Sequence, residues 1–184
     1  MGCSGSGKST LARELELGLG YPRLELDSYF HLPEWGQKPD QQFKAEVTDF
    51  LEQSEHSNQG WIVDGNYLSK LEHLVISRAD IVIWFNLPRR VVMWRVIKRS
   101  LRRAITREEL WNGNRESLRN LMKWDPEENI VRWSWTKHQE YSDELSALAV
   151  NSSSASKQLW LEIKDQRDLA EVKKAIFTRR GESA

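Results

Sequence analysis

Gly2-Cys3-Ser4-Gly5-Ser6-Gly7-Lys8-Ser9 matches the pattern G-x-x-x-x-G-K-[ST] at every position. That match limits what can follow it. Glycines let the main chain adopt positive φ and gather N–H groups around an anion. Directly behind the loop, Leu11, Leu15 and Leu19 fall four apart, so Ser9–Leu19 reads as a helix ending at Gly20. The positive end of that helix would add to the same site. A glycine-rich stretch matching by accident would not need such a helix. The segment therefore predicts a nucleoside-triphosphate site built from Gly2, Cys3, Ser4, Gly5, Ser6, Gly7, Lys8, Ser9 and Thr10. Lys8 is expected to reach the β- and γ-phosphates of ATP, and the Ser9 hydroxyl to ligate Mg2+. One feature departs from the pattern. A loop of this kind follows a buried strand, and only Met1 precedes Gly2. The expectation is a first strand missing from the chain, through a miscalled start or a truncation, with reduced stability as the consequence.

The rest of the chain alternates strand and helix. Arg23–Leu26 reads as a short strand entering a loop at Asp27. From Asp40, Phe43, Val47, Phe50 and Leu51 share one helical face. Trp61–Val63 reads as a strand closing at Asp64-Gly65. Ile81–Leu87 (IVIWFNL) is almost continuously apolar, as a strand covered on both faces should be. Pro88 opens a long helix with Val91, Trp94, Ile97, Leu101 and Ile105 as its apolar stripe. Asp125-Pro126-Glu127-Glu128 carries a helix start: a cap, a proline at the first position and acids at the positive end. Asn151–Ser156 reads as a loop, Leu159–Ile163 as a last strand and Arg167–Phe177 as a closing helix. The alternation predicts a parallel sheet covered by helices on both sides.

Composition excludes several classes. The 184 residues carry 27 basic and 27 acidic side chains, so bulk charge gives no general attraction to nucleic acid or acidic membranes. No apolar run is long enough for a membrane span, and the single cysteine, Cys3, suits a reducing compartment; a cytoplasmic setting is expected. Cys3 sits near a helix start, which would lower its thiol pKa. The histidines His31, His56, His73 and His138 show no metal-ligand spacing.

Candidate chemistry lies at the strand ends, where ligands gather in parallel sheets. Asp27 is expected to position or deprotonate an acceptor hydroxyl, with a helix or turn cap as the plainer reading. Asp64 closes an apolar strand, the form of an element that holds magnesium directly or through water; Asp-Gly is also a ready turn pair. Between Arg89 and Arg107 stand eight basic residues and no acidic one. Arg95, Lys98, Arg99 and Arg102 fall at helical spacing and are read as one stripe. Arg95, Arg99 and Arg102 are the candidates for neutralising a transferring phosphoryl group, against the alternative of a solvated helix face. Trp111, Trp124, Trp133 and Trp135 lie just beyond; packing is the better reading for each, base stacking the other.

Taken together, GCSGSGKSTLAR, LELDSYF, WIVDGNY, ADIVIWFNLPRRVVMWRVIKR and LWNGNRESL resemble the topology modulation (FlaR-like) proteins, P-loop proteins similar to adenylate kinases. The likeness runs from Gly2 to about Tyr141. It implies a three-layer α/β fold like that of nucleoside monophosphate kinases, with strand order 2-3-1-4-5 and ATP with magnesium. It also implies one domain over residues 1–184 with a helical lid-like region at about 99–140. By match of motif Lys8 and Ser9 take the loop roles, and Asp64 takes the place of the aspartate in the Asp-Gly-Phe-Pro-Arg segment of adenylate kinases. Here that segment reads Asp64-Gly65-Asn66-Tyr67, without the proline and the arginine that grips a monophosphate.

The leading expectation is transfer of the γ-phosphoryl of ATP to a small unidentified acceptor: a nucleotide, a nucleoside or another hydroxyl compound. The alternatives are a nucleotide-dependent DNA-binding or regulatory protein using Arg89–Arg107, which balanced overall charge disfavours, and a degenerate member that binds ATP without turnover.

Overall fold

The structure, a computed structural model, describes residues 1–125, 129–153 and 158–182. Its elements in chain order are α1 (Lys8–Leu19), β1 (Arg23–Glu25), α2 (Leu26–Phe30), α3 (Asp40–His56), β2 (Ile62–Asp64), α4 (Leu68–Leu71) and α5 (Leu74–Arg78). Then come β3 (Ile81–Phe85), α6 (Arg89–Thr106), α7 (Leu118–Met122), α8 (Ile130–Ser153), β4 (Leu159–Ile163) and α9 (Gln166–Glu182). Short 3-10 turns form at Pro33–Trp35 and Trp111–Gly113.

The chain is a mixed α/β protein with two small parallel sheets. β1 pairs with β2, Arg23 opposite Ile62 and Glu25 opposite Asp64. β3 pairs with β4, Ile81 opposite Leu159 and Phe85 opposite Ile163. Parallel pairs need crossovers, and helices supply them. Met1 and Gly2 run parallel alongside β3. The Met1 nitrogen donates to the Ile83 carbonyl (2.5 Å), the Phe85 N–H donates to the Met1 carbonyl (3.0 Å), and Gly2 bridges to Phe85. The glycine loop thus starts beside the carboxyl end of β3.

Local sequence explains the element ends. Gly20 takes the left-handed conformation (φ 71°) and its N–H closes α1 on the Glu16 carbonyl (2.9 Å). Pro88 precedes α6, and its carbonyl accepts the N–H groups of Val91 and Val92. α3 buries the face expected of it: Phe43, Val47 and Leu51 are fully inaccessible and pack with Leu24, Leu26 and Phe30. A second cluster joins Leu11, Leu15 and Leu19 of α1 to Phe85, Val92, Val96, Ile163 and Ile176. No helix among the described residues is long and apolar enough to cross a membrane.

Two expectations need correction. The first concerns α6, whose inward residues are Val92, Met93, Val96 and Ser100. Its apolar stripe is largely exposed, Trp94 at 67% and Ile105 at 72%. The helix is rotated because Val96 must meet the glycine loop, as described below; Val91 alone of the stripe packs against that core. Second, Asn151, Ser152 and Ser153 continue α8 instead of starting a loop; residues 154–156 lie outside the described residues. α8 itself is capped by Asn129, whose Oδ1 accepts the N–H groups of Val131 (3.1 Å) and Arg132 (3.3 Å). Residues 126–128 of the expected start lie outside the described residues. Strand ends shift by a residue or two: β1 stops at Glu25 because Leu26 opens α2, and β3 stops at Phe85.

Phe43 sits at the centre of the β1–α3 cluster, edge-on to Phe30 (5.2 Å) and Tyr67 (5.2 Å). Phe43→Ala is expected to cost about 3–5 kcal/mol. Urea unfolding would read this as a lower midpoint at unchanged slope; an unchanged midpoint would contradict the assignment of this core.

Candidate functional site

The Gly2–Gly7 loop ahead of α1 has the backbone its sequence requires. Gly2, Gly5 and Gly7 have φ of 123°, 80° and 109°. Gly5 has no room for a side chain: a Cβ there would lie 2.5 Å from Val96 Cγ2 and 3.1 Å from the Val92 carbonyl oxygen. The Ser6 N–H donates to the Cys3 carbonyl (3.2 Å), and Lys8 Nζ donates to the same carbonyl (2.9 Å). Lys8 therefore folds back over the loop. Burial pushes its ammonium down from the ordinary lysine value, while Asp64 and then Asp27 pull it back up. Ser9 is half-buried on the first turn of α1, and Thr10 is exposed. Ser6 is almost wholly buried, and its hydroxyl has no hydrogen-bond partner among the described residues.

Two arginines of α6 reach this loop. Arg95 Nη1 donates to the Ser6 carbonyl (3.2 Å), and Arg99 Nη2 donates to Ser4 Oγ (2.9 Å). Burial and the neighbouring charge of Arg103 push Arg99 below its ordinary value, with Glu116, Asp27 and Glu108 acting against them. Arg102 does not join them. It is 64% exposed and pairs with Glu108 (2.7 Å), because one turn further along α6 the helix has left the loop. Lys98 also faces solvent. The expected single basic stripe is thus divided between two sides of the helix.

The two candidate carboxylates flank Lys8. Asp64 is 5% exposed, its Oδ2 lies 3.9 Å from Arg23 Nη1, and that oxygen has no hydrogen bond among the described residues. A buried carboxylate oxygen without a donor fits a cation or a water on a cation. Among the described residues no group of three or more His, Cys, Asp or Glu could hold a metal. Magnesium here would depend on Ser9, Asp64, water and the phosphates themselves. Asp27 lies at the start of α2, and its Oδ1 accepts from the Tyr67 hydroxyl (2.7 Å). Burial, with the charge of Asp27, pushes the Tyr67 phenol far up, so it stays protonated and donates.

Beside Asp27 two hairpin-like loops interlock. In each, a leucine N–H donates four residues ahead: Leu32 to the Gly36 carbonyl (2.8 Å) and Leu110 to the Asn114 carbonyl (2.7 Å). Asn114 is 3% exposed and joins them. Its Oδ1 accepts the Trp35 N–H (2.7 Å), and its Nδ2 donates to the Leu32 carbonyl (2.9 Å). Asn112 Nδ2 donates to the carbonyls of Ser28 (3.0 Å) and His31 (2.5 Å). Trp111 Nε1 donates to Glu25 (2.9 Å), and its ring stacks near His31 (6.0 Å between centroids). Behind this contact, Arg103 holds Glu116 (3.1 Å).

No protein-family model matches this chain, and no curated protein matches it. The argument for the site is therefore its geometry. That geometry brings together the loop, Lys8, Arg95, Arg99, Asp64 and Asp27, and leaves Arg102 and Thr10 at the surface. Sequence reasoning missed Tyr67, Asn66, His31, Asn112 and Asn114. Their signal was present in the segments DGNY and LWNGN, but only the fold sets the second against residues about eighty positions earlier.

Cys3 also differs from expectation. Its thiol is 4% exposed and donates to the Ser134 carbonyl (3.5 Å). Burial pushes its pKa up, outweighing Lys8 and the loop's N–H groups. The native protein is expected to resist a thiol-labelling disulfide reagent at pH 8 and to react fully in denaturant. Rapid labelling of the folded chain would contradict this burial.

Proposed function

We propose that the chain is an ATP-dependent phosphotransferase of the P-loop class, akin to the topology modulation and adenylate-kinase-like proteins that its motifs resemble. The observation that carries this reading is the convergence of the glycine loop, Lys8, Arg95 and Arg99 on one point, with Asp64 and Asp27 beside it. The sheet pairing supports the finer fold. The β1–β2 pair, the β3–β4 pair and Met1–Gly2 beside β3 are each neighbours in a three-layer 2-3-1-4-5 order, in which Met1–Gly2 would lie between β2 and β3. Residues 1–184 form one domain in this reading, and about 99–140 form its lid.

The loop's N–H groups and the N-terminus of α1 bind the β-phosphate. Lys8, released from the Cys3 carbonyl, meets the β- and γ-phosphates, and Arg95 and Arg99 neutralise charge that spreads onto the equatorial oxygens in the transition state. Magnesium, held through Ser9 and Asp64 when the triphosphate is bound, supplies further neutralisation of the phosphate oxygens. Asp27, fixed by Tyr67, orients the acceptor hydroxyl and takes its proton. The loop of residues 110–114 excludes water, which would otherwise compete as acceptor.

The DNA-binding alternative loses support from the direction of the arginines. Arg95, Arg99 and Arg103 are engaged inside the protein, which leaves fewer for a nucleic-acid backbone.

Calorimetry with ATP is expected to give magnesium-dependent binding that Lys8→Ala weakens about tenfold to a hundredfold, the scale of one lost charge-assisted contact. Equal affinity of a folded Lys8→Ala chain, or no binding by the unaltered one, would sink the reading.

A further inference from the structure

The charges around Asp27 restrict the acceptor. A phosphate-bearing acceptor brings a dianion next to Asp27 and Glu25, and needs a free cation to meet it. Among the described residues, five basic side chains on this side of the site are matched by acids. Arg23 pairs with Glu16 (2.8 Å) and Glu25 (3.0 Å), and Lys38 with Glu46. Lys70 pairs with Asp40 (2.8 Å), Arg103 with Glu116 (3.1 Å) and Arg115 with Glu109 (3.1 Å). Arg95 and Arg99, which have no carboxylate within ion-pair distance among the described residues, contact Ser6 and Ser4 of the loop, where the ATP phosphates bind.

What this side offers instead is neutral hydrogen-bonding capacity. Asn66 follows Gly65, whose approach to Leu26 is so close that a Cβ would lie 2.7 Å from Leu26 Cβ. It precedes Tyr67, whose hydroxyl holds Asp27. Asn66 thus lies between two residues that contact the Leu26–Asp27 segment. Both amide atoms of Asn66 are buried without a hydrogen-bond partner among the described residues, and so is His31 Nδ1. An amide offers one donor group and one acceptor. A hydroxyl answers both, whereas a phosphate dianion only accepts. Leaving such groups unpaired is costly, so a site of this kind favours a ligand that pairs them.

We infer that the acceptor is an uncharged compound with neighbouring hydroxyls and no phosphate, of the sugar, polyol or nucleoside class. One hydroxyl meets Asp27 and another meets Asn66. The inference rests on the phosphotransferase reading above. In the reaction the acceptor oxygen bonds to the γ-phosphorus, and the bond from that phosphorus to the β–γ bridging oxygen breaks. Its electron pair leaves with ADP, and the hydroxyl proton passes to the Asp27 carboxylate.

The test uses the full chain with magnesium and ATP. ADP release and the 31P signal of a new phosphomonoester are followed with adenosine, cytidine, glucose, inositol and glycerol, and in parallel with AMP, CMP and glucose 6-phosphate. Turnover with at least one unphosphorylated compound, exceeding that of the phosphorylated set by about tenfold or more, is the expected result. Turnover as fast or faster with the monophosphates overturns the inference and leaves the phosphotransferase reading standing. Intact calorimetric ATP binding with no turnover on any compound also overturns it. Absence of ATP binding by a folded chain removes the underlying reading as well. For the best acceptor, Asn66→Leu is expected to lower kcat/KM about tenfold to a hundredfold with ATP affinity unchanged. An unchanged kcat/KM removes Asn66 from the acceptor site.

Discussion

The approach of Gly5 to Val96 is the constraint on which the rest of the structure depends. With room for no side chain between them, the glycine loop lies directly on α6. That contact fixes the rotation of the helix. Once Val92 and Val96 face the loop, the residues three positions further along lie on a neighbouring strip of the helix, and these are Arg95 and Arg99. The same rotation turns Trp94, Leu101 and Ile105 outward, at the expense of apolar exposure. A hydrophobic pattern that reads as core was thus overridden by the need to bring two guanidinium groups to the loop.

A second set of contacts organises the other half of the site. Gly65 against Leu26 draws the end of β2 onto the start of α2, and the Tyr67–Asp27 hydrogen bond closes that junction. The interlocked loops at Leu32–Gly36 and Leu110–Asn114 cover it, with Asn114 supplying hydrogen bonds in both directions. Lys8 lies between the halves and feels both Asp64 and Asp27. In the proposed reaction this is where the transferred group passes from one half to the other. Positioning and electrostatics are the whole task of such an enzyme, and few side chains are needed for it.

Much of this was legible in the sequence because it depends on local rules. The loop and α1 follow from glycine spacing and a four-residue apolar repeat, β3 from an apolar run, and α3 from its Phe43–Val47–Leu51 face. Asp27 and Asp64 were singled out because strand ends are where ligands collect. Local rules failed where distant parts of the chain meet. The orientation of α6 depends on Gly5, some ninety residues earlier. The roles of Asn112 and Asn114 depend on a loop about eighty residues away. Cys3 was expected to have a lowered thiol pKa from its place near a helix start, but burial, supplied by tertiary packing, pushes it up instead.

The central claim is that Gly2–Thr10 is a triphosphate cradle closed by Lys8 and the α6 arginines. A crystal structure with a non-hydrolysable ATP analogue and magnesium tests it most directly. The account predicts the β-phosphate within hydrogen-bond distance of the loop's N–H groups, and Lys8 Nζ moved from the Cys3 carbonyl onto the phosphates. It also predicts Arg95 and Arg99 beside the γ-phosphate, and the metal ion on Ser9 with Asp64 directly or one water away. A nucleotide seated elsewhere, or Lys8 still on the Cys3 carbonyl with the analogue at full occupancy, would contradict it.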